Sequence, residues 1–332
     1  MRLPTPGELK RAHPPPPLVG ESRRLVRESL AGGPRRLAIV GPCSIHDEGE
    51  VLSYARKLAA FQERVRERLL IVMRAYVEKP RSTTGWKGFV YDPLLDGRGD
   101  AALGLRASRR LLARLAALLP VATEFVNPLV ATYLGDLVSW VAIGARTCES
   151  QPHREVAASL SCPVGVKNPT CGDAEPAADS ILAIRAPHAF LSINEDGVAC
   201  RREARGNPDA HLVLRGGRLK PNYDEEYVAI ASYYLRKRGL PERLLIDCSH
   251  ANSRKRAAAQ ARVLRDVLGQ ALRDERIRGF MLESYLGGGR QSLPAELAGF
   301  DKRSLKPGVS VTDECLSWRE TERLLLLAAA RL

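Results

Sequence analysis

The strongest constraint on the fold is an alternation that repeats along most of the 332-residue chain. Short apolar or β-branched runs are each bounded by a polar residue and followed by a longer segment with apolar residues at helical spacing. This alternation is typical of βα units around a parallel sheet, because each crossover helix covers one face of the sheet. The eight runs occupy residues 37–42, 70–76, 121–125, 138–145, 163–167, 211–215, 244–247 and 279–283.

Eight such units in about 250 residues predict an α/β fold of the (β/α)8 TIM-barrel class. At this point an open, doubly wound sheet stays possible, because it produces the same alternation. The clearest predicted helices cover residues 49–69, 101–119, 222–238 and 252–272. Between the fifth and sixth runs, residues 190–193 and a turn at Gly197 predict an inserted β-hairpin.

The first 33 residues differ from the rest of the chain. Pro14 to Pro17 form a polyproline run, and the charged helical pattern of residues 21–30 ends at Gly32, Gly33 and Pro34. The sequence therefore predicts an N-terminal arm over residues 1–33 and a single barrel domain over residues 34–332.

Composition limits the partners without naming one. Lys and Arg total 51 against 38 Asp and Glu, so the formal charge of +13 favours an anionic partner. No basic block or DNA-binding motif accompanies this charge, and no apolar run approaches the roughly 20 residues that span a bilayer, so we expect neither a nucleic-acid nor a membrane partner. The absence of an apolar signal core and the seven scattered cysteines predict a cytoplasmic location.

Each predicted strand ends at or beside an ionisable or metal-binding residue. In chain order these are Cys43, Arg74, Glu124, Arg146, Lys167, Arg215, His250 and Glu283. At any one strand end a charge needs no function, since the chain emerges into solvent there. Eight of eight favours one shared polar site, because the strand ends of a barrel converge on the face that carries the chemistry.

These residues fall into two chemical groups. Arginine and lysine suit a small ligand with several negative charges; this group is Arg74, Arg146, Lys167 and Arg215, with Lys79 and Arg81 just beyond the second strand. Cys43, His250 and Glu283 form a mixed sulfur, nitrogen and oxygen set that suits a divalent transition metal. A buried cysteine is often only a small apolar side chain, so the metal site stays open at this point.

Several long motifs resemble the type I 3-deoxy-D-arabino-heptulosonate 7-phosphate (DAHP) synthases. The resemblance extends over residues 35–320. The motifs lie at residues 41–47, 78–88, 142–147, 149–151, 153–155, 160–165, 167–168, 214–217, 247–253, 283–284 and 312–315.

This resemblance implies an enzyme that condenses phosphoenolpyruvate (PEP) with D-erythrose 4-phosphate (E4P) and water. The products are DAHP and phosphate, and the reaction is the first step of the shikimate pathway to the aromatic amino acids. The resemblance also implies one divalent metal ion, which is Mn, Fe, Co or Zn, and a homodimer or homotetramer.

The family motifs assign roles to individual residues. The implied metal ligands are Cys43, His250, Glu283 and Asp313. The implied PEP contacts are Arg74, Lys79, Arg146, Lys167 and Arg215, with the backbone N–H of Ala145. For the phosphate of E4P the implied contacts are Arg81 and Ser82, which follow Pro80. Cys43, Lys167 and His250 are the implied catalytic residues, and whether Lys167 or His250 moves the protons stays open.

The chain departs from the family pattern at several positions. Ser82 replaces the usual threonine, Tyr285 replaces a histidine, and Pro169 replaces a glycine after Lys167. The shorter arm, residues 127–132 and the hairpin, with Arg201, Arg202 and Arg205, also differ from the feedback-inhibited members. We therefore hypothesise an unregulated or differently regulated isoenzyme that serves a secondary pathway. The alternatives are a related synthase with a different aldehyde substrate, or a non-catalytic paralogue.

Overall fold

A computed structural model describes residues 2–332 of the chain. Its strands are, in chain order, β1 (Arg36–Gly41), β2 (Leu69–Arg74), β3 (Val121–Glu124), β4 (Trp140–Ile143), β5 (Val164–Lys167), β6 (His188–Ile193), β7 (Ala199–Ala204), β8 (His211–Leu214), β9 (Leu244–Asp247) and β10 (Ile277–Glu283). Apart from the β6–β7 pair, these strands are parallel and close a barrel in the order β1-β10-β9-β8-β5-β4-β3-β2. The predicted (β/α)8 barrel is confirmed, and the open sheet is excluded.

The helices lie where the crossovers require them. They are α1 (Pro6–Ala12), α2 (Leu18–Leu30), α3 (Glu48–Val65), α4 (Ala101–Ala116), α5 (Val130–Leu134), α6 (Gln151–Ser159), α7 (Glu175–Arg185), α8 (Glu225–Lys237), α9 (Ala257–Ala271) and α10 (Trp318–Arg331). The predicted helix 49–69 was too long, because Leu69 already begins β2. The predicted helix 252–272 began too early, since Arg254 and Lys255 have positive φ angles that no α-helix accommodates.

Large side chains fill the interior of the barrel. Trp140 of β4 is fully buried there, together with apolar residues that include Leu37, Ile39 and Val72. The indole ring of Trp140 packs against Gly165 of the neighbouring strand β5. Only glycine fits at this position, because a Cβ on residue 165 would lie 2.1 Å from Trp140 Cζ2. The barrel is therefore a packed core, and ligands have to bind at one of its ends.

Helix α2 covers the N-terminal end of the barrel. Its residues Val26 and Leu30 are fully buried against the barrel interior. The guanidinium group of Arg278, near the start of β10, donates from Nε to Ser29 O at 2.8 Å and from Nη2 to Gly33 O at 2.6 Å. This end is closed, so the C-terminal end is the one available to a ligand. The division of the chain at residue 33 stays a prediction.

The inserted hairpin lies outside the barrel, as predicted. Strands β6 and β7 pair antiparallel, with Phe190 opposite Arg202 and Ile193 opposite Ala199. Helix α1 contacts the hairpin turn, where Gly7 N donates to Glu195 O at 2.8 Å. Among residues 2–332, no helix combines the length and the apolar character needed to cross a bilayer.

Candidate active site

A cavity of about 980 Å³ opens at the C-terminal end of the barrel. Most of the site residues predicted from the sequence line it, namely Lys79, Pro80, Arg81, Ser82, Ala145, Arg146, Lys167, Arg215, His250 and Asp313. The other three are Cys43, Arg74 and Glu283, which are fully buried next to the cavity. The chain therefore brings both predicted groups, the cations and the metal-binding set, to one place.

Three of the predicted metal ligands form a compact cluster. The Cys43 thiol and the carboxylates of Glu283 and Asp313 each place a ligand atom within 4.8 Å of the other two. His250 lies outside this three-residue set, with its Nε2 3.7 Å from Glu283 Oε1. His250 has a φ angle of 50°, and such left-handed backbone strain in a non-glycine residue is typical of functional sites.

Lys79 lies directly against the cluster. Its ammonium group donates to the carbonyl oxygen of Cys43 at 2.9 Å and contacts Cys43 Sγ at 3.2 Å. Burial and the charge of Glu283 raise the pKa of the Cys43 thiol, and the charge of Lys79 opposes this shift. Burial disfavours the charged form of Lys79, yet Cys43 and Glu283 raise its pKa, so the ammonium group stays protonated. A mixed sulfur and oxygen set held beside a fixed cation suits a transition metal.

Arg74 is the most deeply buried cation of the site. Its Nη2 donates to Glu283 Oε1 at 3.0 Å, and its Cζ lies 4.1 Å from the centre of the Tyr76 ring. Its Nε and Nη1 have no hydrogen-bond partner within residues 2–332. A buried donor without a partner costs about 1–3 kcal/mol. These two nitrogens carry three free N–H groups, which are therefore suited to an anionic ligand that satisfies them.

The structure adds a residue for which the sequence analysis predicts no role. Asp247, the last residue of β9, accepts from Lys167 Nζ at 2.9 Å, and its Oδ2 lies 2.8 Å from His250 Nδ1. Burial alone would raise the pKa of Asp247, but the charges of His250, Lys167 and Arg74 hold it well below its usual range. Asp247 is therefore an ionised carboxylate between the two predicted groups. The sequence could have indicated it, because the strand ends at Asp247 and not at His250.

The loop that follows β2 carries the predicted E4P contacts. Ser82 Oγ accepts from Arg146 Nε at 2.8 Å, so this loop touches the cation from the end of β4. Glu78, another residue without a predicted role, is buried and accepts from Tyr91 at 3.1 Å and from Val126 N at 3.1 Å. Glu78 therefore ties the loop after β2 to the loop after β3.

Arg215 is positioned by buried amide side chains. Its backbone N–H donates to Asn168 Oδ1 at 2.8 Å, and Asn222 Nδ2 donates to the same oxygen at 3.1 Å. Burial lowers the pKa of Arg215. Asn168 Nδ2 donates to Pro169 O at 2.8 Å and to Gly216 O at 3.1 Å, so the loop after β5 is connected to the residues that follow β8.

Comparison with known protein families decides the assignment. Residues 20–326 match the model of the DAHP synthetase I family. The chain belongs to the DAHP synthetase I family. The family assignment made from the motifs, and with it the prediction of an enzyme of this class, is confirmed.

Curated relatives cover almost the whole chain. This chain is 44% identical over 330 residues to the Tyr-sensitive phospho-2-dehydro-3-deoxyheptonate aldolase of Escherichia coli K12. The match covers 97% of this chain and 91% of that protein. The chain is 45% identical over 310 residues to the Phe-sensitive enzyme of the same organism, covering 92% and 87%. With the Trp-sensitive enzyme of Salmonella typhimurium the identity is 44% over 335 residues, covering 99% and 94%.

A solved structure agrees with these relatives. The phospho-2-dehydro-3-deoxyheptonate aldolase of Francisella tularensis SCHU S4 superimposes with a TM-score of 0.95 at 38% sequence identity, covering 100% of this chain and 97% of that chain. This family member therefore shares the barrel over its full length.

Proposed function

We propose that this chain condenses PEP with E4P and water to give DAHP and phosphate, using one divalent metal ion. The observation that carries the proposal is the position of Glu283. Its Oε1 accepts from Arg74 at 3.0 Å, and its carboxylate lies within 4.8 Å of the Cys43 and Asp313 ligand atoms. One carboxylate therefore joins an anion-binding cation to a metal-binding set.

The proposed metal ligands are Cys43, His250, Glu283 and Asp313. Their sulfur, imidazole and carboxylate donors match the ligands that divalent transition metals take in proteins. When bound, the metal would act as a Lewis acid that polarises the aldehyde of E4P. Because thiolate and neutral imidazole bind metals only when deprotonated, we expect metal loss in acid and inactivation by oxidation of Cys43.

The proposed PEP site uses the cations around the cavity. Phosphate and carboxylate groups on a three-carbon frame require several fixed cations that converge while leaving C3 open to attack. These are Arg74, Lys79, Arg146, Lys167 and Arg215, with the N–H of Ala145 beside the phosphate. Arg81 and Ser82, after Pro80, would hold the phosphate of E4P.

The carbon–carbon bond then forms from C3 of PEP to C1 of E4P. The aldehyde oxygen gains negative charge, and the fixed positive charge of Lys79 and its neighbours stabilises it. The C2=C3 π electrons of PEP form the new carbon–carbon bond, so C2 becomes electron-poor and water adds to it. The bond between C2 and the phosphate ester oxygen then breaks, inorganic phosphate leaves, C2 becomes a ketone, and the former aldehyde oxygen takes up a proton. The proposal assigns the proton transfers to Lys167 or His250, which lie 2.9 Å and 2.8 Å from Asp247 Oδ2.

Metal reconstitution tests this proposal directly. The full chain is stripped of metal, Mn, Fe, Co or Zn is added back, and phosphate release from PEP plus E4P is followed. We expect no activity before reconstitution, and a loss of about 1,000-fold or more in Cys43→Ala, because one ligand and its charge are removed. Full activity in the stripped protein or in the variant would refute the metal part of the proposal.

Comparing other aldose phosphates in the same assay would expose a different aldehyde specificity.

The regulatory hypothesis needs a separate measurement. We propose an unregulated or differently regulated isoenzyme, and a homodimer or homotetramer. The expected results are the absence of inhibition by sub-millimolar phenylalanine, tyrosine or tryptophan, and a dimer or tetramer mass by light scattering. Inhibition by any one of these amino acids would overturn the regulatory part alone.

A further inference from the structure

We infer that Asp247 is a positioning residue that orients a PEP-binding lysine and a metal-binding histidine through the same carboxylate oxygen. The inference rests on the proposed function, because it concerns Lys167 and His250 in the roles given there. It assigns to Asp247 a joint effect on metal affinity and on PEP affinity.

The geometry makes a single atom responsible for both contacts. Asp247 Oδ2 lies 2.9 Å from Lys167 Nζ and 2.8 Å from His250 Nδ1. Lys167 is the last residue of β5, and His250 lies in the loop three residues after β9, so neither side chain positions the other through the backbone. A fully buried carboxylate is costly unless it is paired, and here the two contacts provide the pairing.

The other oxygen of the carboxylate prevents it from rotating. Asp247 Oδ1 accepts from Ser249 Oγ at 2.6 Å and from the backbone N–H of Ser249 at 3.0 Å. The carbonyl oxygen of Asp247 accepts from Asn252 Nδ2 at 2.9 Å. Because these bonds fix both Oδ1 and the backbone carbonyl of Asp247, Oδ2 faces Lys167 and His250 in a single orientation.

These contacts also determine which nitrogen of His250 carries a proton. Ser249 Oγ lies 2.8 Å from His250 Nδ1. The single hydroxyl proton of Ser249 is donated to Asp247 Oδ1, so Ser249 can only accept from the ring. Both neighbours of Nδ1 are therefore acceptors, and Nδ1 carries the hydrogen. Nε2 keeps its lone pair, and it is the nitrogen that faces Glu283 at 3.7 Å.

The ammonium group of Lys167 is held in the same manner. One of its three N–H groups is donated to Asp247, which leaves the other two for the cavity that Lys167 lines. Asp247 can therefore remain bound to Lys167 while a PEP oxygen is bound as well. Removing the negative charge should weaken both sites at once, because an amide cannot accept from the lysine and the histidine at full strength.

The test uses the metal-stripped full chain and the variant Asp247→Asn. The affinity for Co²⁺ is measured by competition with a chromophoric chelator, and the affinity for PEP by titration calorimetry on the Co²⁺-loaded protein. We expect Asp247→Asn to lose about 10–100-fold in Co²⁺ affinity, the usual effect of removing a carboxylate behind a metal-binding histidine, and about 10-fold in PEP affinity. Ring ¹⁵N shifts of the six histidines should show the Nδ1–H form of His250 in the native chain and its loss in the variant.

Two further variants make the result decisive. Asp136→Asn removes a carboxylate that pairs with Arg109 Nη2 at 2.8 Å near the closed end of the barrel, and it should change neither affinity. If Asp247→Asn fails to fold, Ser249→Ala replaces it. Ser249 makes no hydrogen bond to Lys167 in the described part of the chain but contacts both Asp247 Oδ1 and His250 Nδ1, so we expect Ser249→Ala to lose Co²⁺ affinity and PEP affinity together, each several-fold.

The outcomes separate this inference from the proposed function. Joint loss of Co²⁺ and PEP affinity supports it. Loss of only one affinity, native values for both, or an unchanged ring tautomer in Asp247→Asn would overturn it. A native chain that binds neither Co²⁺ nor PEP would instead remove the proposed function on which the inference rests.

Discussion

The two ends of the barrel use buried arginine in opposite ways. At the closed end, Arg278 bonds through all three guanidinium nitrogens, to Ser29 O, to Gly33 O and, from Nη1 at 2.7 Å, to Glu275. At the open end, Arg74 is buried to the same degree, yet its Nε and Nη1 find no partner in residues 2–332.

This difference shows how to distinguish a structural cation from a ligand-binding one. A guanidinium group whose donors are all satisfied by the protein contributes to stability and has nothing left to offer a ligand. One that keeps free donors beside a cavity lowers stability and gains from an anion. The comparison is not absolute, since Arg36 at the closed end also leaves Nε unpaired while pairing with Glu275 at 2.7 Å.

Among the substitutions that test this comparison, Arg74→Lys should have the largest effect. Lysine keeps the charge near Glu283 but lacks the planar fork, so the two free donors that we assign to PEP are lost. We expect kcat/KM for PEP to fall about 100-fold, equal to about 2.7 kcal/mol, with little change in the free energy of unfolding. Steady-state kinetics and urea unfolding measure the two quantities. A decrease of less than about 3-fold would show that the free donors of Arg74 have no role in PEP binding.

The matched change at the closed end is Arg278→Lys. An ammonium group cannot reach Ser29 O, Gly33 O and Glu275 together, so at least one buried carbonyl loses its donor. We expect the free energy of unfolding to fall by about 2 kcal/mol, while kcat/KM stays within about 2-fold of the native value. If activity fell with stability unchanged, the separation of the two ends would be wrong.

The barrel and its open face could be predicted from the sequence because both depend on periodicity. Helix boundaries were less accurate, since apolar spacing continues from Val65 through Leu69 into β2. Helices α6 and α7 are short, so their apolar residues repeat over too few turns to be recognised as a helical pattern in the sequence. Their positions depend on packing against the barrel, which a local pattern does not contain.

From the residues alone, only those parts of the site that lie at or near strand ends could be predicted. The cations and Cys43 lie at or just beyond strand ends, and the pattern placed them correctly on one face. Asp313 lies in a loop well beyond β10, so only the family resemblance indicated it. Asp247 ends β9, so the strand-end pattern could have included it, but its contacts with Lys167 and His250 are visible only in the structure. Glu78 acquires its role from its contact with Tyr91, which no spacing along the chain encodes.

Carboxylates provide a second comparison of the two ends. Arg36 and Arg278 lower the pKa of Glu275 at the closed end, whereas burial raises the pKa of Glu78 at the open end to about 8. The pKa of Glu78 is about 4.5 in the unfolded chain and about 8 in the folded chain. Between these two pH values the folded chain holds the proton more tightly than the unfolded chain, so the free energy of unfolding decreases as the pH rises. We expect the stability of the native chain relative to Glu78→Gln to decrease by about 1 kcal/mol from pH 6 to pH 7. Urea unfolding at half-unit pH steps measures this slope, and a slope of zero or of opposite sign would contradict the raised pKa.

The smallest expected effect concerns serines that hold an arginine at each end. Ser82 Oγ accepts from Arg146 Nε at 2.8 Å beside the cavity, and Ser161 Oγ accepts from Arg23 Nη1 at 2.8 Å at the closed end. Ser82→Ala removes one neutral acceptor from a solvated arginine, so we expect KM for E4P or PEP to rise about 3-fold with kcat nearly unchanged. Ser161→Ala removes the same kind of contact and should leave both KM values at their native level. Equal kinetic effects of the two substitutions would mean that the contact between Ser82 and Arg146 does not position Arg146 for a substrate.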